Sequence, residues 1–167
     1  MGQYFAKLET MSGENFNQKY AKNIFCKIFK KNEANTLLEI DDDYEFYDIE
    51  KSYYFLSDGD CFAYVSIPDD ATVTILDQSF KTDSIELSML MPLTKFPKFI
   101  DDTYCVHAVK QNGMNLRYIN YDHQTYELCK LAVSNCPASL DFVNPDLMSD
   151  ELEDLSKIYR FLNLYHF

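Results

Sequence analysis

Ala108-Val109-Lys110-Gln111-Asn112-Gly113-Met114-Asn115-Leu116-Arg117-Tyr118-Ile119-Asn120 is echoed without a gap by Ala132-Val133-Ser134-Asn135-Cys136-Pro137-Ala138-Ser139-Leu140-Asp141-Phe142-Val143-Asn144, 24 residues further on. Ala, Val, Leu and Asn recur identically, Tyr118 becomes Phe142, Ile119 becomes Val143, and upstream Cys105 matches Cys129. The retained positions are apolar or turn positions, so the echo preserves packing rather than chemistry. It divides the C-terminal part into two units, about 101–124 and 125–148. In the second, Thr125 suits an N-cap, Glu127 suits the positive end of the helix dipole, and Leu128, Leu131 and Ala132 form an apolar stripe that Cys136-Pro137 ends. In the first, Asp101 is the capping residue, Tyr104, Cys105, Ala108 and Val109 make the face, and Asn112-Gly113 terminates it. Leu116, Tyr118 and Ile119, like Leu140, Phe142 and Val143, predict a second, shorter helix folding back on the first. Neither unit covers its own apolar face, so each must stack on a neighbour. Ser149 then leads into a capping helix with Leu152, Leu155, Tyr159 and Leu162 on one side and Glu151, Glu153, Asp154, Lys157 and Arg160 facing solvent.

Upstream the pattern changes. Gln3–Leu8 reads as an edge strand followed by a turn at Ser12-Gly13. Phe16, Tyr20, Ile24 and Ile28 recur at four-residue steps and predict a helix over Asn15–Lys31. The run Asp41-Asp42-Asp43 reads as a solvated turn, since it lacks the glycine and closing glutamate of a calcium loop. Asp48 caps a short helix Ile49–Leu56, which Gly59 stops by adopting positive φ. Cys61–Ile67 alternates as a strand, with Cys61, Ala63, Val65 and Ile67 towards the core and Phe62 and Tyr64 on the other face. Ala71–Leu76 is a second strand that need not pair with it, and Phe80–Leu87 is a third extended or mixed segment. Pro92 and Pro97 mark the boundary. The expected fold is α+β, with a strand-rich mixed domain over 1–97 that closes one side of a short stack of helical hairpins, over 98–167 with its capping helix.

Composition narrows the function classes. The chain has 167 residues, 47% hydrophobic and 16% aromatic, with no Trp, so it buries a real core. Fifteen basic residues against 27 acidic ones give −12, which repels phosphate backbones and argues against direct nucleic-acid binding. The same acidity admits a second reading, a surface that imitates nucleic acid and occupies a basic groove. No apolar run suits a membrane span, and no signal peptide or lipidation motif opens the chain, so the expectation is an intracellular, unsecreted protein.

Candidate chemistry is sparse. Cys26, Cys61, Cys105, Cys129 and Cys136 form no CxxC and read as reduced thiols, with Cys105 and Cys129 in the core. His107 lies two residues from Cys105 and so on another helix face, His123 sits in a connector and His166 in the tail, which disfavours a zinc or thiol-nucleophile site. The aromatic run Tyr53-Tyr54-Phe55 reads as packing, with Tyr53 inward and Tyr54 partly exposed. No catalytic, cofactor-binding or metal-binding residue is assigned, and no cofactor. A small enzyme with an unfamiliar pair of carboxylates, or with Cys61 and a histidine, remains an alternative.

The order Asp48–Leu56 to Gly59, then Ala63-Tyr64-Val65-Ser66-Ile67-Pro68, then Phe80-Lys81-Thr82-Asp83-Ser84-Ile85-Glu86-Leu87 resembles the domain preceding ankyrin repeats in many proteins of amoeba-infecting giant viruses of the mimivirus group. Thr82 stands where that family has alanine, and the stretch near Leu37–Ile40 lacks its Gly-Leu-Tyr-Phe signature. Thr125–Asn135 and Ala108–Gly113, with Leu116 and Tyr118, resemble a short helical repeat of unknown function built on Glu-Leu-Cys-x-x-Ala-Val-x-x-Asn-Gly, common in the same viruses and in some amoeba-associated bacteria. Few Gly, Pro, Ala and Arg with plentiful Lys, Asn, Ile, Tyr and Phe agree with AT-rich codons. The resemblance implies a non-enzymatic interaction or adaptor protein of a large DNA virus. It would act on a host or viral protein in the cytoplasm of the host cell, in the virus factory or in the virion.

Overall fold

The computed structural model describes residues 9–30 and 44–163. The expected edge strand Gln3–Leu8, the Asp41-Asp42-Asp43 turn, the Leu37–Ile40 stretch and His166 lie outside the described residues, as does the side chain of Leu162. The fold is α+β, and the chain divides into two compact units. One comprises the described residues up to Ser52 together with Cys61–Met91, the other Tyr53–Asp60 together with the residues from Pro92 onward. This differs from the division at residue 97. Tyr53–Asp60 joins the second unit because its side chains and backbone are engaged there. Tyr53 stacks on His107 at 5.1 Å, the Tyr118 hydroxyl donates to Gly59 O, and Leu93 N donates to Asp60 O.

The first unit is an antiparallel sheet with one short helix. Its strands are β1 (Glu9–Ser12), β2 (Phe25–Phe29), β3 (Tyr44–Asp48), β4 (Cys61–Ser66), β5 (Thr72–Ile75), β6 (Phe80–Thr82) and β7 (Glu86–Leu87), paired in the order β1-β5-β6-β3-β2-β4-β7. β3 serves two neighbours in turn. Tyr44, Glu45 and Phe46 pair with β6, whereas Tyr47 and Asp48 pair with β2. β4 and β5, which the sequence left free to pair or not, are not neighbours in the sheet.

The helix expected over Asn15–Lys31 is replaced by α1 (Gly13–Lys19), a turn, and β2. Residues four apart share a face in a strand as well as in a helix, so the spacing of Phe16, Tyr20, Ile24 and Ile28 did not distinguish them. What decides is that Phe25, Cys26, Ile28 and Phe29 are all buried, which a strand between two partners achieves and a one-sided helix does not. Ser12-Gly13 is a junction rather than a turn, because Ser12 ends β1 and its hydroxyl accepts from Asn15 N at the start of α1. Gly13 is required by proximity: a Cβ there would lie 1.9 Å from Pro68 O. On this scaffold Phe16, fully buried, meets Tyr20, Phe25, Phe46 and Phe80 at centroid distances of 4.7–5.8 Å. Edge-on contacts dominate, the arrangement that ring quadrupoles favour. Phe62, expected on the face away from the core, is fully buried, so both faces of β4 are covered.

Asp48 caps the next segment as expected, its Oδ1 accepting from Glu50 N at 2.9 Å. The segment is 3-10 helical, Ile49–Tyr54 then Leu56–Asp58, and Gly59 has φ −170°, an extended conformation in place of the expected positive φ.

In the second unit, α2 (Asp102–Gln111), a 3-10 helix Gly113–Tyr118 and a 3-10 turn Tyr121–His123 are followed by α3 (Tyr126–Asn135), a 3-10 helix Pro137–Phe142 and a 3-10 turn Pro145–Leu147. Each element follows its counterpart by 24 residues, the offset of the sequence echo. Asp101 and Thr125 both cap, accepting from Tyr104 N at 3.1 Å and Leu128 N at 3.2 Å. Cys105, Ala108 and Val109, like Cys129, Ala132 and Val133, are at most 1% exposed where α2 lies against α3. α4 (Asp150–Asn163) packs on α3 and on Pro137–Phe142 through the buried Leu152 and Ser156.

Candidate functional site

The features of the second unit that suit recognition are two neighbouring hollows sharing one wall, Tyr121. The first, about 350 Å³, is bounded by Thr94, Arg117, Asn120 and Tyr121 over apolar residues that include Phe142. The second, about 470 Å³, runs from Tyr121 past Pro145 and Met148 to Lys157 and Arg160. Tyr121 is 48% exposed and Met148 40%, so a large ring and a flexible thioether line the hollows while open to water. Farther along α4, Ile158 and Phe161 are also exposed.

Local structure explains the walls. In Gly113–Tyr118 the side chains of Leu116 and Tyr118 turn inward and that of Arg117 outward. Asn120 O then accepts from His123 N, closing the turn that lifts Tyr121. Between the two echoing stretches lies Gln124, buried and fully engaged. Its Nε2 donates to Ile119 O and Phe142 O, both at 3.1 Å, and its Oε1 accepts from Asn144 N at 2.8 Å. A single amide thus satisfies three backbone groups and ties together the stretches that wall the first hollow. Asn135 does similar work at the end of α2, accepting from Gly113 N at 2.8 Å and donating to Lys110 O at 3.0 Å.

Electrostatics differ between the hollows. Among the described residues Arg117 is the only charged one lining the first. Its guanidinium lies 4.5 Å from the centroid of the Tyr118 ring, and among the described residues no carboxylate pairs with it. The second carries both signs, with Asp141, Glu153, Lys157 and Arg160 in its lining. Lys157 is engaged there by Asp154 at 3.0 Å and Glu153 at 3.9 Å. Beside it Glu151 anchors α4 to α3: Lys130 Nζ and the Tyr126 hydroxyl donate to its two oxygens at 2.6 and 2.7 Å, and together they hold its carboxyl below the usual range.

The residues weighed for chemistry are not assembled. Cys105 is buried, its Sγ donating to Phe99 O, and burial pushes its thiol up to about 12. Burial likewise raises Cys26 to about 12 and raises Cys129, so these three are packing residues at neutral pH. No disulfide joins the five cysteines. His107 lies on the exposed side of α2 against Tyr53, and Tyr54 is 42% exposed. Among the described residues no group of three His, Cys, Asp or Glu is placed to hold a metal ion, and no helix is long and apolar enough to cross a membrane. Arg117, Tyr121, Gln124 and Arg160 were not singled out from the sequence. A signal was available, because the chain has only two arginines and Arg117 faces Asp141 across the echo, a charge reversal in an otherwise retained pattern. Compared with protein-family models, curated proteins and solved structures, the chain matches none.

Proposed function

We propose that this is a non-enzymatic interaction protein, in which residues 101–148 form two units of a helical repeat, closed by α4, and present the surface centred on Tyr121 to a partner protein. The observation carrying this reading is the pair of adjoining hollows with exposed Tyr121 and Met148 at their walls. Aromatic side chains, Met and Arg are the residue types enriched where proteins bind one another, and all occur together here. The exact 24-residue spacing of elements supports the repeat, since stacked units build stiff surfaces from small pieces. The resemblance to giant-virus families supports a viral adaptor acting on a host or viral protein inside the infected cell.

A photo-crosslinking amino acid placed at Tyr121 tests the reading in an infected or transfected amoeba. The expected result is one dominant covalent protein adduct, absent when the crosslinker sits at Ile24, an exposed residue of the other unit. Equal labelling from both positions, or none from Tyr121, overturns it. The second reading, an acidic mimic of nucleic acid, is supported by the net charge of −12 and by Asp150, Glu151, Glu153 and Asp154 crowding the start of α4. It requires salt-sensitive competition with DNA for a basic nucleic-acid-binding protein, in which Tyr121 plays no part.

A further inference from the structure

We propose that the hollow around Arg117 receives the C-terminal residue of a partner polypeptide, its free carboxylate on the guanidinium and its apolar side chain beside Phe142 and Tyr121. The inference rests on the interaction-protein reading and names what that surface takes. Three polar side chains line the hollow without a hydrogen bond or ion pair that would occupy them fully. Among the described residues the Thr94 hydroxyl and the Asn120 amide make no side-chain hydrogen bond, and Arg117 gives one donor to the Tyr118 hydroxyl, leaving four of five. Among the described residues no carboxylate pairs with the Arg117 guanidinium, which leaves its charge available to an anion entering the hollow.

Charge selects the ligand. One guanidinium, with no second cation lining the hollow among the described residues, matches a monoanion held by two parallel N–H bonds. A phosphate dianion asks for more positive charge than a single guanidinium offers. Shape selects it further, because the apolar lining that includes Phe142 adjoins the cation within about 350 Å³. That space is roughly twice an engineered cavity that admits benzene, enough for a single residue and its backbone but not a folded surface. A carboxylate and an apolar side chain borne on one residue is the chemistry of a peptide's last position. Thr94 and Asn120 stand ready to bond its backbone, and the Gln124 bonds keep the wall from collapsing in its absence.

The test uses the full chain labelled with ¹⁵N and N-acetyl-glycyl-phenylalanine as probe, against the same peptide with its carboxylate amidated, and against inorganic phosphate. Expected are saturable shifts at Thr94, Arg117 and Tyr121 with the free acid, and binding of the amide weaker by about 10-fold or more. Arg117→Met should weaken the acid to the level of the amide without altering signals elsewhere, and Arg117→Lys should restore only part of the affinity. Thr94→Val, which keeps the shape of the wall, should weaken acid and amide alike. Equal binding of acid and amide, shifts outside the hollow, no saturable shift with the acid, or phosphate binding as tightly as the acid each overturns the proposal. None of these outcomes touches the crosslinking result at Tyr121, so the two readings fail separately.

Discussion

Residues 101–124 and 125–148 carry the same elements in the same order, yet they treat their inner and outer positions differently. At the inner positions Cys105 and Cys129, Ala108 and Ala132, and Val109 and Val133 are interchangeable in type and equally buried. At the next ones the stretches part. Leu116 is fully buried whereas Leu140 is half-buried, and Gly113 answers to Pro137. Asn115 donates to Ala108 O at 2.9 Å, but its counterpart Ser139 is fully buried with an Oγ that has no hydrogen-bond partner among the described residues. Outward, Arg117 answers to Asp141. The lesson is that close packing constrains the face between α2 and α3, while the short 3-10 helices are where the two stretches acquire distinct chemistry.

The largest expected effect breaks the comparison at its leucines. Leu116→Ala should cost about 3 kcal/mol, because a fully buried side chain leaves a cavity, while Leu140→Ala should cost about 1 kcal/mol. Urea unfolding of the two variants measures the gap, and equal costs would mean that the two positions are packed alike. Next is Gly113→Ala. A Cβ there would lie 2.3 Å from Ala132 O and 2.9 Å from the Cys136 Cβ, so backbone must move and the expected loss is about 2 kcal/mol by the same measurement.

A smaller effect of opposite sign is expected at the orphan hydroxyl. Ser139→Ala removes a buried group that has no partner and should be neutral or stabilising by up to about 1 kcal/mol, whereas Asn115→Ala leaves Ala108 O with its bond from Asn112 N alone and should destabilise by about 1–2 kcal/mol. The finest probe is pH. The Lys130 and Tyr126 bonds hold the Glu151 carboxyl below its unfolded value, so its contribution is present above about pH 4.3 and is lost as pH falls through the lowered folded value. The NMR signals of Tyr126 and Lys130 should move together in that acid range, and Glu151→Gln should abolish the movement.

Much of the second unit was legible because its signals are local. Asp101 and Thr125 cap as read, since a capping side chain reaches a backbone N–H only two or three residues away. The buried face of α2 follows from helical spacing, and that of α3 in part, since Leu131, placed on its stripe, is half-buried while Val133 is buried. The first unit was less legible because its evidence is not local. β2 is a strand by virtue of β3 and β4 on either side, and Phe62 is buried by what covers its face, neither of which its own neighbours in sequence announce. No site was legible, since Thr94, Arg117 and Phe142 come from three separate elements and share no spacing.

By itself the amino-acid order determined the α+β class, the doubled element pattern and its caps, and the acidity, all of which follow from periodicity, short-range hydrogen bonding and counting. Only the tertiary structure decided that Phe25–Phe29 lies between two strands, that Tyr53–Asp60 belongs with the helices, and that an arginine stands in a hollow without a carboxylate partner among the described residues. The reason is physical: burial, pairing and the absence of a counter-charge are properties of what surrounds a side chain, and long-range packing supplies those surroundings.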